Sequence, residues 1–433
     1  MNAQPKYQIA NAFHSWMQSD RPGKAWMNHP PQFPILRTTM PLNEYATVSI
    51  QVSSHKNLPA AESVEDRDRY SRQILFPGIG SLGQQRLAAS HVAIVGCGAM
   101  GAASASLLAR AGIGTLTLID RDFVEHSNLQ RQILFDEADA RESLPKAEAA
   151  RRHIALFNSH VAVHARIADL TPSNIADLLP LPHSNPSRLP PVQIILDATD
   201  NFETRYLIND FAIQNGIPWI YAAAIGAYAA TMNILPVSLE PPAASLEPCL
   251  PTACLACVFP KPPTGNVETC DTAGILSTAV NLASSMQVTE ALKFLTGQAH
   301  LMRRTLTSFD LWKTVGNGKI DHSEIATGSP RPGCQVCDQH IFTHLAGQER
   351  AHITLCGRDS VQIHEHRRPI DFAALQARLN THADIQALRC NDLILRFRRG
   401  SLTLTLFADG RAIIQGTTDI AVARSLYARF IGS

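Results

Sequence analysis

The stretch HVAIVGCGAMGAASASLLARAGIGTLTLIDRDFVEHSNLQRQ, from His91 to Gln132, decides the fold. Val92 to Val95 form an unbroken apolar run, as in a parallel strand buried on both faces. Gly96, Gly98 and Gly101 then supply GxGxxG ahead of an Ala-rich helix. In such a turn the first two glycines let the backbone bend tightly and approach a phosphate, and the third lets helix and strand pack closely. The helix N-terminus offers unpaired N–H groups to an anion. Asp120 closes the next strand, where a ribose-binding carboxylate belongs. A nucleotide site on an α/β sheet is the expectation; an ordinary tight strand-to-helix turn is the bland alternative.

Downstream, the loop RDFVEHSNLQRQILF is dense in polar groups. Asn128, Arg131 and Gln132 can offer amide and guanidinium donors to a triphosphate. Pro145 opens a helix that places Lys146 in its first turn, a position the helix dipole disfavours for a cation unless a polyanion lies nearby. A third strand, VAVHARIA, and a Pro-rich insertion lead to VQIILDATDN, a fourth strand ending in Asp197 and Asp200. Ligands of parallel sheets bind beyond the carboxyl ends of the strands, so Asp200 is a candidate for holding Mg²⁺ beside a phosphate. It is equally a candidate N-cap for the helix FETRYLINDFAIQNG. Strands IPWIYAAAIG and AYAATMNILPV complete the sheet; a long helix, 274–297, the further strand TLTSFDLWKTV and a variable loop follow.

The chain has 433 residues and a net charge of +1, giving no general case for nucleic acid or a membrane surface. It shows no apolar run of spanning length and no signal-peptide core, which leaves the cytoplasm as the expected location. Four of the nine cysteines form two CxxC pairs, Cys254/Cys257 and Cys334/Cys337, about 80 residues apart. In a cytoplasmic chain such pairs suit a tetrahedral structural Zn²⁺, with a redox pair as the alternative. Residues 1–65, rich in Pro, Gln, Ser and His, read as an extended or disordered region, and Met40 could be the true start. Residues 350–433 read as a small α+β domain, with Arg399-Gly400 and Asp409-Gly410 as hairpin turns and a scaffold or docking role. That leaves 66–340 as a doubly wound, mostly parallel nucleotide domain.

The ordered set RYSRQILF, GCGAMG, LIDRDFVEHSNLQRQ, PKAEAA, DATDNFETRYLIND, ACLACVF and GCQVC strongly resembles the ThiF/MoeB/HesA family, bacterial relatives of ubiquitin-activating enzymes. The likeness runs from about Arg69 to Asp338. It implies a Rossmann-like adenylyltransferase that uses ATP and Mg²⁺ to adenylate the C-terminal glycine of a ubiquitin-like sulfur carrier ending in Gly-Gly, releasing pyrophosphate for thiamin thiazole or molybdopterin synthesis. By the same resemblance Gly96, Gly98 and Gly101 cradle the nucleotide and Asp120 takes the ribose. Asn128, Arg131 and Lys146 contact phosphates, with Gln132 beside them, and Asp200 holds Mg²⁺. The four paired cysteines hold Zn²⁺. Arg72 matches an arginine inserted into a partner subunit, which implies a homodimer. Cys270 matches a cysteine that some members use covalently in sulfur relay; a cysteine desulfurase or rhodanese would then be the sulfur donor. The C-terminal extension tilts the reading toward thiazole carriers. Two alternatives share the fold: an enzyme activating a ribosomally made peptide, and an NAD-dependent dehydrogenase or idle nucleotide-binding module.

Overall fold

The computed structural model describes residues 68–181, 189–237, 250–262, 273–316, 318–347, 354–355, 360–363, 370–407 and 410–431. The N-terminal extension with Met40, the Pro-rich insertion at 182–188 and Cys270 lie outside the described residues. The elements below belong to one compact unit beginning at Tyr70.

Two short helices, α1 (Ser71–Ile74) and α2 (Gly80–Ala88), lead into β1 (His91–Val95), α3 (Ala99–Ala111) and β2 (Thr115–Ile119). Then come α4 (Glu137–Glu142), α5 (Lys146–Phe157), β3 (Ala162–Arg166), α6 (Ile175–Leu178), β4 (Ile194–Asp197) and α7 (Phe202–Asn215). The half ends with β5 (Trp219–Ile225), β6 (Tyr228–Ile234), α8 (Leu255–Val258), α9 (Ser277–Leu295), β7 (Thr305–Val315) and β8 (Lys319–Ala326). Strand order is β3-β2-β1-β4-β5-β6-β7-β8. The first five are mutually parallel and the last three antiparallel. Strand β8 corrects the sequence expectation of a variable loop over 319–326. Its side chains are mostly exposed, so it lacks the buried apolar run or clean alternation that marks a strand.

All five residues of β1 are buried, as expected between two helical layers. His91 fits there because its ring is satisfied: Nδ1 lies 2.6 Å from the Pro190 carbonyl and Nε2 2.8 Å from the Thr117 hydroxyl. Burial, the largest cause, holds its pKa below the usual histidine value. Helix α9 closes one face with a polar seam. Ser284 Oγ donates to the Met100 carbonyl at 3.2 Å, and Gln287 Nε2 donates to the carbonyls of Asp197 and Ile220, each at 2.8 Å.

The C-terminal elements are β9 (Thr354–Leu355), β10 (Ser360–Ile363), α10 (Phe372–Leu379), β11 (Gln386–Cys390), β12 (Ile394–Arg399), β13 (Leu402–Phe407), β14 (Ala412–Gln415) and α11 (Ile420–Phe430). They form a second, antiparallel sheet of order β11-β12-β13-β14-β10-β9. The expected hairpins are present, and β9, β10 and β11 enlarge the sheet beyond the three strands the alternation marked. This sheet packs on the back of the Asp120–Gln132 loop. Phe123 joins Ile394, Phe407 and Ile413 in one apolar cluster, and buried Arg411 donates to the carbonyls of Arg121 and Ile167.

Candidate functional site

Strand β1 has β2 on one side and β4 on the other, so the chain reverses its winding there, and the crevice beyond their carboxyl ends is where such sheets bind ligands. The glycine turn and the Asp197–Asp200 segment meet at that point. Gly96 adopts φ +89°, and a Cβ on it would lie 2.6 Å from the Ala198 carbonyl oxygen. A Cβ on Gly101 would lie 1.9 Å from the Gly96 carbonyl oxygen, so this glycine serves helix–strand packing. Gly98 differs: among the described residues a Cβ there would meet only Gln132 Nε2, at 3.9 Å. Internal packing therefore leaves Gly98 unexplained, while a ligand brought against the backbone would explain it. Gly98 is also the N-cap of α3 and supplies no side-chain cap, leaving the first-turn N–H groups open to an anion.

Asp120 ties the following loop to this turn. Its Oδ2 accepts the Cys97 N–H at 2.5 Å and its Oδ1 the Asp122 N–H at 2.7 Å. Burial pushes its carboxyl pKa up, and Lys146 opposes the shift. Each oxygen keeps a lone pair that a ribose hydroxyl could use. Lys146, 3% exposed at the start of α5, places Nζ 3.1 Å from Asp122 Oδ2. Asp122 thus supplies, within the chain, the counter-charge that the sequence assigned to a polyanion.

Arg131 is buried, with its guanidinium 2.8 Å from the Ser127 carbonyl. Asn128 closes a one-turn helix by a reciprocal cap: its Oδ1 accepts the Glu125 N–H at 3.1 Å while Glu125 accepts the Asn128 N–H. Gln132 is buried with its Oε1 unpartnered. The amide lies beside the open Gly98 through its nitrogen, and its orphan oxygen fits a crevice built for a ligand carrying donors.

Asp200 is exposed and makes no hydrogen bond to another described residue. It does not cap α7; the cap is Asn201, whose side chain accepts the Thr204 N–H at 2.8 Å. That corrects the capping alternative and leaves the Asp200 carboxylate available to a cation. Asp197, by contrast, is fully buried, 3.1 Å from Arg205, which also donates to the Thr199 carbonyl at 2.6 Å. Burial pushes the Asp197 carboxyl up while Arg205 pulls it down. Sequence reasoning missed this pair and Gln287, which together fix the end of β4 next to Asp200. Ser284, Gln287 and Glu290, recurring every third residue along α9, carried the signal.

Arg72 is exposed on α1 and has no hydrogen bond or ion pair to another described residue.

The two CxxC pairs do converge. Cys254–Cys334 and Cys257–Cys337 sulfurs lie 3.6 and 3.3 Å apart, Cys254–Cys257 3.8 Å, and all four fall within 4.8 Å of one another. A disulfide needs about 2.05 Å. A tetrahedron with Zn–S of ~2.3 Å needs sulfurs about 3.8 Å apart, so the thiols suit a metal. The Cys254 thiol, donating to Cys257, lowers the latter's pKa to about 7. The knuckle is anchored to α7 by the Leu255 N–H, donated to Asn209 at 2.9 Å.

A switch-point glycine turn on a mostly parallel sheet, with a four-thiol metal-type knuckle, defines a Rossmann-type α/β protein. Comparison with known proteins sharpens this. The model of the ThiF family matches residues 70–336, and the chain belongs to that family. It is 40% identical to the Sulfur carrier protein ThiS adenylyltransferase of Bacillus subtilis over 368 residues, covering 84% of this chain and 99% of that one. It is 35% identical to a Sulfur carrier protein adenylyltransferase of Thermus thermophilus over 54% of this chain and 79% of that one. The crystal structure of E. coli MccB superposes with a TM-score of 0.50 at 22% identity, over 62% of this chain and 72% of that one, a likeness of fold alone. Among the described residues no helix is long and apolar enough to cross a membrane.

Proposed function

We propose that this chain is an ATP-dependent adenylyltransferase acting on the C-terminal glycine carboxylate of a ubiquitin-like sulfur carrier. The observation that carries the reading is the open Gly98, with the Gln132 side-chain amide beside it, its oxygen unpartnered, and charged groups of both signs around it. The B. subtilis relative, named for this activity and matched over nearly its full length, supports it. That name also favours a thiazole carrier over a molybdopterin carrier.

In this reading the turn amides receive the phosphates and Asp120 accepts from the ribose hydroxyls. Arg131 and Lys146 supply positive charge, Lys146 by exchanging Asp122 for phosphate. Asp200 would hold Mg²⁺, which when bound neutralises phosphate charge. The carrier carboxylate, already ionised at neutral pH, forms a bond to the α-phosphorus as the bond to the β-phosphate oxygen breaks. Pyrophosphate leaves with that electron pair, so no general base is needed. The protein's task is alignment and charge neutralisation. Arg72 would act in a partner subunit, and the Cys254/Cys257/Cys334/Cys337 knuckle would hold structural Zn²⁺. We assign adenylylation to a domain of about residues 66–340, with 350–433 a small appended domain, in the cytoplasm.

The test is carrier-dependent exchange of labelled pyrophosphate into ATP, using zinc-loaded protein and a thiazole-type carrier ending in Gly-Gly. Exchange with the carrier and none with a carrier lacking its last glycine is the expected result. Absence of exchange with every such carrier would remove the proposal.

A further inference from the structure

A second cavity, of about 380 Å³, opens where the C-terminal sheet meets the back of the Asp120–Gln132 loop. Its rim carries Arg389, Arg396 and Arg398 from β11 and β12, facing Glu125, His126 and Ser143. Three guanidinium groups against one carboxylate leave the opening strongly positive, in a volume suited to a small molecule.

The arginines are only partly used by the protein. Arg396 lies with its guanidinium carbon 4.4 Å from the Phe123 ring centre, which fixes its plane. Its polar contacts are long: 3.4 Å to Ser143 Oγ, 3.3 Å to Gln415 Oε1 and 3.9 Å to Glu125 Oε1. Arg389 donates to the Arg141 carbonyl at 2.6 Å and Arg398 to Gln386 at 2.8 Å. Each guanidinium has five N–H donors, so most remain for a ligand. Burial and the nearby Arg389 depress the Arg396 pKa, and Glu125 opposes them. A bound anion would relieve that repulsion. The backbone is distorted at the same place: Ser143 and Ala387, both with φ of 51°, line this cavity and are two of the three non-glycine residues with positive φ among those described. Such conformations are costly and gather at ligand sites.

We propose that this cavity is an effector site for a small polyanion, a phosphate ester or a polycarboxylate, bound by Arg389, Arg396 and Arg398. The reasoning for an effector rather than a mere anion sink lies in Glu125. Its backbone closes the turn holding Asn128, the N–H donated to Asn128 Oδ1 at 3.1 Å and the carbonyl accepting the Asn128 N–H at 2.9 Å, while its carboxylate receives Arg396 at 3.9 Å. An anion that draws Arg396 away from Glu125 alters the support of the nucleotide loop from behind. By linkage, polyanion and nucleotide then change each other's affinity by the same factor.

Two measurements on the full chain test this, with fructose 1,6-bisphosphate and citrate as probes at matched ionic strength. In the first, calorimetry is done on Gly98→Val protein, so that the glycine turn cannot contribute an anion site. One saturable site is expected for at least one probe, weakened about tenfold or more in the added Arg389→Ala/Arg398→Ala double variant. Binding of the bisphosphate alone assigns a phosphate ester, and binding of citrate alone a polycarboxylate. No saturable binding, or equal binding by the double variant, overturns the proposal; Arg398→Ala alone, at an exposed position, repeats the comparison should the double variant misfold. In the second, ATP affinity of otherwise unaltered protein is measured with and without the binding probe. A change of about threefold, absent from the double variant, is expected; an equal change in both proteins is direct competition at the nucleotide crevice and overturns the effector role. The second measurement rests on the ATP reading, whereas the first does not, so failure of either is distinguishable.

Discussion

Gly98→Ala and Gly101→Ala separate what the glycine turn does for the fold from what it does for a ligand. At Gly101 an added methyl would lie 1.9 Å from the Gly96 carbonyl oxygen and 2.8 Å from its carbon, both backbone atoms that cannot swing aside. Overpacking of this kind costs roughly 1–3 kcal/mol or more. Alanine's better helix propensity offsets about 1 kcal/mol of that. A net loss of about 2 kcal/mol lowers the melting temperature by roughly 3–4 °C in a domain of this size. At Gly98 the same methyl meets one atom, a flexible amide nitrogen 3.9 Å away, so stability should stay within about 1 kcal/mol. ATP affinity should nevertheless drop, because the methyl occupies the space through which phosphate reaches the turn amides. Losing one or two charge-assisted hydrogen bonds at about 1.5–3 kcal/mol each predicts a decrease of tenfold or more. Thermal denaturation and calorimetric ATP titration of both variants read the two effects. A Gly98→Ala protein that binds ATP like the parent would refute the cradle, and a Gly101→Ala protein that melts like the parent would refute the packing argument.

Asp200→Ala should abolish pyrophosphate exchange and leave the melting temperature unchanged, since the exposed carboxylate caps nothing; retained exchange takes Asp200 out of the Mg²⁺ role. Cys254→Ser should lower bound zinc below one per chain by elemental analysis and destabilise the protein by several kcal/mol, because the knuckle fastens α8 to the 331–339 turn. Undiminished zinc in that variant would place the metal elsewhere. His91 gives a pH signature. Its folded pKa lies below the unfolded value of about 6.5, so the unfolded chain takes up a proton that the folded chain refuses. Its contribution is therefore fully present above pH 6.5 and declines as pH falls below it. Urea midpoints compared at pH 5.5 and 7.5 should fall less in His91→Asn than in the parent. Finally, Arg72→Ala should inactivate, and mixing it with Asp200→Ala after subunit exchange should restore part of the exchange activity. No recovery would argue against a shared site.

The site was legible in unequal parts. Gly96, Gly98, Gly101 and Asp120 could be placed from sequence because local geometry dictates them: a strand must turn tightly into a helix, and only glycine permits it. Even there the sequence treated the first two glycines alike. The structure distinguishes Gly96, forced by its positive φ and the Ala198 carbonyl, from Gly98, which no described residue requires. The convergence of Cys254 and Cys257 with Cys334 and Cys337 rested on spacing and the family resemblance until the fold closed an 80-residue gap. Lys146 was read correctly as a cation in an unfavourable place, yet its partner Asp122 lies 24 residues earlier, on a loop whose path sequence does not give.

Sequence alone determined the strand–turn–helix, the parallel half of the sheet and the candidate chemistry, because hydrophobic period, glycine and cysteine spacing are local signals of local geometry. Tertiary structure decided what those residues meet. It gave the cap of α7 to Asn201, buried Asp197 against Arg205, clamped the end of β4 with Gln287 and set the C-terminal sheet behind the nucleotide loop with three arginines at the seam. The last two are contacts between segments tens to hundreds of residues apart. Polar side chains that meet only after burial carry no periodic mark, because their partners, not their neighbours in the chain, make them stable there.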